Sequence, residues 1–512
     1  MINPFTKHVE YIDWLYRVEA GGADLTVYPA TVSAIPFNTV WPGHQRPISQ
    51  TEKAAFVQVD IDRFSEVTVT PLFDFDKAVL RPLHRCSQPV KNADGSLTVS
   101  LPGPGQYSLE CDGYHAALTI FADSMSGLER NRRELDRFAA DDRGVLCVSP
   151  PDSRCCSPGC VTTREELSER LPLSGLICFA PGSYDVGALR LSSGQALYVP
   201  AGAVLYGGII IEDAEDVCIY GGGIIDNSRI ARGDVGGNCL RAANSKNIDV
   251  RDITFRDSAA WTAYCQNCEN LYFNNVKLIG MWRYNSDGID FCNSKNCCIM
   301  NSYLRCFDDC VVIKGLGADN PNCENILVSG CTIWCDWGRG LEIGAETRAD
   351  EMKNMRFENC DIIHNTHIAM DIQNGDRGKV SDIVFSDIRV EYDPTQLAPV
   401  YQHSDDMIYE GKEGFIPDLI VAHVYHGMWS KDEAYGSNTR LRFEGIRLYM
   451  PEEMEDILTG GNRRPLIRFE GYNEDHLTSD VVVEGIFING KRISGCGINV
   501  KAEPFTKDIV IR

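Results

Sequence analysis

From about residue 176 onward, short alternating runs of apolar residues are each led by an Asn or Asp. They are NIDVRDITF from Asn247, NLYFNNVKL from Asn270, NCCIMNSYL from Asn296, NILVSGCTI from Asn325, NMRFENCDI from Asn354 and DIVFSDIRV from Asp382. Successive starts lie 23, 26, 29, 29 and 28 residues apart. Alternation with period two reads as strand. A unit this short cannot bury its own inward side chains, so neighbouring units must stack into one continuous core. A leucine-rich repeat would add a helical half and its own Leu spacing, and a propeller would need longer four-stranded units. The pattern predicts an all-β fold, a right-handed parallel β-helix over residues 176–512. Upstream, FVQVDI, VTVTPL, LTVSL, YSLEC and AALTIF are short strands separated by Gly, Pro, Asn and Asp, which predicts an N-terminal β-sandwich over 1–140. Residues 141–175 read as a linker, with a short helix in TTREELSERL whose Thr precedes Glu as at a helix start. Residues 395–437 interrupt the repeat and are expected to wall one end of a cleft.

Composition narrows the function. A 44% hydrophobic chain of 512 residues is globular, and its 72 Asp+Glu against 49 Lys+Arg give a net charge of -23. That acidic surplus argues against nucleic acid and anionic membranes as partners, and mildly against polyanionic substrates. No run of apolar residues is long enough for a membrane span. The N-terminal MINPFTKHVEYIDWLYRV lacks the features of a secretory signal, and the 21 Cys are an odd number scattered along the chain, so the expected setting is the cytoplasm with free thiols. Cys265 and Cys268 form a C-x-x-C, and Cys155, Cys156 and Cys160 cluster, but the paired spacing of a zinc site is missing. No metal and no cofactor is expected.

The chemistry concentrates in Asn285-Ser286-Asp287-Gly288-Ile289-Asp290 and Asp308-Asp309-Cys310-Val311-Val312-Ile313-Lys314. Asp287 and Asp308 are about one coil apart, so their side chains can lie next to each other on adjacent coils, with Asp309 as a third carboxylate. Crowded carboxylates repel, and at least one holds its proton near neutrality. A proton donor beside ionised bases suits inverting glycoside hydrolysis, in which an acid serves the leaving oxygen and a base activates water. Taken singly, each of these Asp residues reads better as decoration of a solenoid turn; it is the trio at this spacing that favours chemistry.

These two segments resemble the N-T-D and D-D motifs of the polygalacturonase family, family 28 of the glycoside hydrolases, over residues 176–395. The resemblance implies Asp308 as general acid, Asp287 and Asp309 as the pair activating water, and Asn285 as a positioning group. Three Asp on a β-helix behind a β-sandwich also resemble the dextranase and isopullulanase family, which acts on neutral α-glucans. The chain departs from the polygalacturonase pattern in two places. The G-H-G motif becomes Gly338-Arg339-Gly340, followed by Leu341 and Glu342. The R-I-K that grips a uronate carboxylate becomes Asp371-Ile372-Gln373. Asp and Gln suit hydroxyl groups where Arg and Lys suit a carboxylate, although Arg339 offers a cation of its own.

The expected activity is therefore inverting, exo-type hydrolysis of α-glycosidic bonds in a neutral oligo- or polysaccharide. The alternatives are a polygalacturonase acting on galacturonides, a polysaccharide lyase, and a non-catalytic glycan-binding β-helix. Expected substrate contacts are Asn285, Trp282, Tyr284, Lys314, Trp337, Arg339, Glu342, Asp371 and Gln373, with Trp261 and Trp334 as further aromatic platforms. His364, His367 and His403 read as structural.

Overall fold

The computed structural model describes residues 5–6, 9–34, 38–40, 47–112, 117–139, 143–151, 160–317, 322–393, 400–402, 416–451, 454, 465–495 and 499–512. The C-terminal two-thirds is a right-handed parallel β-helix. Each coil contributes three strands. One face is a 13-stranded parallel sheet running from Val145–Val148 to Thr506–Ile511. The other two form a 22-stranded sheet, one face carrying Ile224–Asp226, Thr254–Arg256 and their successors, the other Leu240–Ala243, Ala263–Gln266 and theirs.

The Asn and Asp that open each repeat unit are the corners of the coil. Asn247, Asn270, Asn296, Asn325, Asn354 and Asp382 all take left-handed backbone angles, with φ between 55° and 60°, which Asn and Asp tolerate better than other residues with a Cβ. Their amides also bond coil to coil: Asn247 donates to Asp216 (2.8 Å), Asn270 to Asn247 (2.9 Å) and Asn325 to Asn296 (2.9 Å). Inward residues then stack in register. Ile289, Val311, Leu341, Met370, Ile420, Ile467 and Val500 are successive neighbours on one face, and all are buried. Phe357, Phe385 and Phe443 form a second column with centroids 4.6 and 5.2 Å apart, and Phe469 of the other sheet packs on Phe443 at 5.8 Å. Each such side chain contributes about 2–3 kcal/mol of burial, which is why the solenoid holds despite its short strands.

The β-sandwich is present as two five-stranded sheets. One of them, with strands Tyr28–Ser33, Thr51–Ile61 and Leu118–Ser124, lies on the solenoid. Tyr28, Phe56 and Phe121 pack there against Tyr206, Ile279, Tyr303, Trp334 and Ile363. A buried charge network joins the two modules. Arg81 contacts Glu110 (3.1 Å), Glu391 (2.6 Å) and Asp393 (3.2 Å), and His364 Nε2 lies 2.7 Å from Glu110.

Two boundaries differ from the sequence reading. An amphipathic helix, Met125–Ala139, follows the last sandwich strand inside the segment read as all-β; MSGLERNRRELDRFA is rich in good helix formers and lacks strand alternation. The first solenoid strand, Val145–Val148, pairs with Leu176–Phe179 and so begins within the stretch read as linker. The short helix there is Arg164–Arg170, capped by the Thr163 side chain. Cys155, Cys156, His403 and much of 395–437 lie outside the described residues.

Candidate active site

The two motifs lie on the corners that lead into the strands Ile289–Cys292 and Val311–Leu316. Ile289 pairs with Val311, and Gly288 N–H donates to the Asp309 carbonyl at 2.8 Å. That register sets Asp287 beside Asp309, one residue off the Asp287–Asp308 pairing expected from spacing. Nothing is lost by the shift, because all three carboxylates line one cavity of about 270 Å³. Alternation then places Asp290, Glu342 and Asp371 in one outward row, each the successor of an inward Ile289, Leu341 or Met370.

Glycine spacing keeps the carboxylates close. A Cβ at Gly338 would stand 2.4 Å from Asp309 Oδ1, and one at Gly288 would stand 2.1 Å from the Cys310 carbonyl. Asn285 takes a left-handed conformation, φ 52°, and its Nδ2 donates to Asp308 Oδ2 at 3.4 Å.

Two cations are shared among five carboxylates. Lys314 Nζ is 3.1 Å from Asp287 and 3.2 Å from Asp290, and sits 3.9 Å from the centroid of the Trp261 ring. Arg339 is ringed by Asp371 (3.3 Å), Asp309 (3.6 Å) and Glu342 (3.9 Å), and its backbone N–H donates to Asp309 Oδ1 at 2.8 Å. The consequence is a split in protonation. Burial, then the charges of Asp309 and Asp287, push the Asp308 carboxyl well above the usual range. Burial also raises Asp287, to about 6, with Lys314 opposing it. Burial alone would raise Asp309 as well, but the Arg339 guanidinium and a hydrogen bond from Glu342 outweigh it and hold Asp309 low. Glu342 is driven well up by burial and by Asp309, so it is the protonated partner of that pair. Burial raises Asp371 to about 6 against Arg339. The arrangement can therefore offer a proton from Asp308 while Asp309 stays ionised beside it.

Of the expected contacts, Asn285, Lys314, Trp337, Arg339, Glu342 and Gln373 line the cavity, as do Trp261 and His367. Trp282, Tyr284 and Asp371 do not. Trp282 is buried and its indole N–H donates to Asp257 at 2.9 Å, Tyr284 lies beneath Arg232, and Asp371 forms the floor under Arg339. Trp334 is wholly buried against the sandwich, beneath His364, and is no sugar platform. Glu346, Tyr425, Met428 and Trp429 complete the lining and were not anticipated individually. For Tyr425, Met428 and Trp429 the signal was the aromatic run VAHVYHGMWS inside the excursion read as a wall; Glu346 lies outside it, in the strand Arg339–Arg348. Tyr425 donates to Gln373 Oε1 at 2.5 Å.

Residues 225–400 match the profile of glycosyl hydrolases family 28. An exopolygalacturonase of Arabidopsis thaliana is 28% identical over 156 residues, covering 29% of this chain and 35% of that protein. Rhamnogalacturonase A of Emericella nidulans is 26% identical over 225 residues, covering 41% of this chain and 43% of that protein. The chain thus spans well under half the length of these two curated relatives. Among solved structures, Dex49A from Penicillium minioluteum superposes with a TM-score of 0.58 over 99% of this chain and 95% of that one, at 12% identity. That likeness shows a shared fold over nearly the whole of both chains.

Proposed function

We propose that this chain is a glycoside hydrolase of the family 28 kind that cleaves an α-glycosidic bond with inversion. The observation that carries the reading is the convergence of Asp287, Asp308 and Asp309 on one cavity, with Lys314 against Asp287 and Arg339 against Asp309 while Asp308 has no such cation among the described residues. Asp308 gives its proton to the glycosidic oxygen as the C–O bond breaks. Water attacks the anomeric carbon from the opposite side, and its proton passes to Asp309 or Asp287 as the new C–O bond forms. Asp287 Oδ1 has no hydrogen-bond partner among the described residues, which leaves it a lone pair for that water. The small cavity, walled by Tyr425, Met428 and Trp429, supports action at a chain end.

The substrate has two readings, each with its own support. The names of the curated relatives, exopolygalacturonases and rhamnogalacturonases, favour a galacturonide. The cavity's own charges favour a neutral sugar at the point of cleavage, since Lys314 is engaged by two carboxylates and Arg339 by three. The comparisons carry the greater weight, because they draw on many residues and the charge argument on two. A reducing compartment is part of the proposal and is supported by the 18 free cysteines among the described residues. The test is a panel of purified oligogalacturonides, isomalto-oligosaccharides and malto-oligosaccharides, with products resolved by chromatography. Release of a monosaccharide from one class supports exo-hydrolysis and names the sugar; an unsaturated product would instead mean a lyase, and no cleavage of any would sink the hydrolase reading.

A further inference from the structure

Between the strands Ile224–Asp226 and Leu240–Ala243, the loop 227–239 leaves the solenoid and reaches the mouth of the cavity. It is tied down at both ends and in the middle. Asn227 Nδ2 donates to the carbonyls of Gly207 (2.8 Å) and Gly236 (3.0 Å). Arg283, two residues before Asn285, donates to the carbonyls of Ile230 (2.8 Å) and Ser228 (3.0 Å). Arg232 runs the opposite way: it donates to the Tyr284 carbonyl and, at 2.6 Å, to Asn285 Oδ1, with its guanidinium carbon 4.6 Å from the centroid of the Tyr284 ring. The two arginines clasp the loop to the corner that bears the first catalytic motif. Arg232 itself is exposed and has no carboxylate within 4.0 Å among the described residues.

The chemistry of this contact fixes an orientation. A guanidinium only donates hydrogen bonds, so the Asn285 oxygen must face Arg232 and the amide N–H must face Asp308. The amide then donates to Asp308 Oδ2. An N–H aimed at Oδ2 across 3.4 Å favours a bare acceptor there, and so favours the carboxyl proton on Oδ1. From Arg232 through Asn285, a single chain of two hydrogen bonds thus selects which oxygen of the acid carries the proton.

We infer that Arg232 is a positioning residue for the general acid, acting through the Asn285 amide to hold the transferable proton on Asp308 Oδ1. This rests on the reading of Asp308 as the acid. Arg232 never touches the reacting atoms in this role, and because it is exposed and the ties from Asn227 and Arg283 still hold the loop, its replacement should leave the fold intact. Its effect is confined to proton delivery, so it matters when the leaving group is a sugar hydroxyl that needs protonation and not when the leaving group departs unaided.

The test compares Arg232→Gln and Arg232→Lys with wild type on trigalacturonate and isomaltotriose, and on the 2,4-dinitrophenyl α-glycoside of whichever terminal sugar is released. Arg232→Gln is expected to lower kcat on the oligosaccharide by about 10- to 100-fold, part of what a general acid supplies, while the dinitrophenyl glycoside is cleaved at close to the wild-type rate. Arg232→Lys, which still donates to Asn285, should recover most of the loss. Equal loss on both substrates, or no loss on the oligosaccharide, overturns the inference. A crystal structure of Arg232→Gln gives a second readout independent of turnover: the Asn285 amide should turn away from Asp308, and an unchanged Asn285–Asp308 contact contradicts the relay. If wild type cleaves neither oligosaccharide, the functional reading has failed, and the crystal structure still decides the positioning role.

Discussion

Replacing Lys314 by Met removes the one cation among the described residues that contacts both Asp287 and Asp290 and keeps a side chain of similar length. At 3.1 Å and an effective dielectric constant of about 20, one ion pair is worth about 5 kcal/mol. One factor of ten in proton affinity corresponds to about 1.4 kcal/mol. Protonation of Asp290 and local rearrangement absorb part of this, so the expected upward displacement of the Asp287 titration is at least about two pH units. The sign follows from its role: Asp287 must be ionised to take a proton from water, so activity is lost as pH falls through its titration, near 6 in wild type. In Lys314→Met the acid limb of the kcat/KM profile moves up by that amount. At pH 6 the ionised fraction drops from about one half to about one in a hundred, a loss of about 50-fold, with partial recovery on the alkaline side. The assay is a pH profile of kcat/KM for both proteins on the same oligosaccharide, with circular dichroism to confirm folding. An acid limb that stays near pH 6 in the variant would refute the assignment of that limb to Asp287.

Gly338→Ala drives a Cβ against Asp309 Oδ1 and its backbone nitrogen; kcat should fall by about 100-fold with a stability loss of about 1–3 kcal/mol from overpacking, and near-normal turnover in the folded variant would count against a role for Asp309. Arg81→Met strands Glu110, Glu391 and Asp393 at the junction of the two modules. A loss of about 3–5 kcal/mol is expected, read as a lower unfolding midpoint in urea. Because the stranded carboxylates regain their protons as pH falls, that deficit should shrink toward pH 4, and a midpoint equal to wild type at pH 7 would mean the network contributes nothing. Asp371→Asn removes one of the three carboxylates around Arg339, so KM for a galacturonide should drop several-fold while KM for a neutral oligosaccharide holds. Equal changes for both would show that Arg339 never meets the substrate.

The repeat was legible because its physics is local. Each coil must turn at a left-handed corner, and Asn or Asp marks that corner; each inward column must be apolar, and alternation marks that column. The three catalytic candidates were legible for the same reason, since they sit at corners within one coil of each other. What the sequence left hidden is set by partners far along the chain. Trp334 looks like a platform in a string of aromatic residues, yet its face of the coil is the one covered by Tyr28, Phe56 and Phe121 from the sandwich. Trp282 is turned inward by a nearer partner, its indole N–H donating to Asp257 on the preceding coil. Arg232 lies 53 residues before Asn285 in an unremarked Gly-containing loop, and only the stacking of coils brings them together. The one-residue register shift that pairs Asp287 with Asp309 has a similar origin: coil length varies, and spacing alone does not say where in the turn the difference is absorbed.

The most direct test of the central claim is the stereochemistry and acid dependence of cleavage, followed by proton NMR with Asp308→Asn beside wild type. The account predicts that wild type first releases a sugar of inverted anomeric configuration, and that Asp308→Asn, with similar stability, loses at least about 100-fold in kcat on the same oligosaccharide. Retained configuration would contradict direct attack by water, and an Asp308→Asn protein as active as wild type would contradict the assignment of the acid.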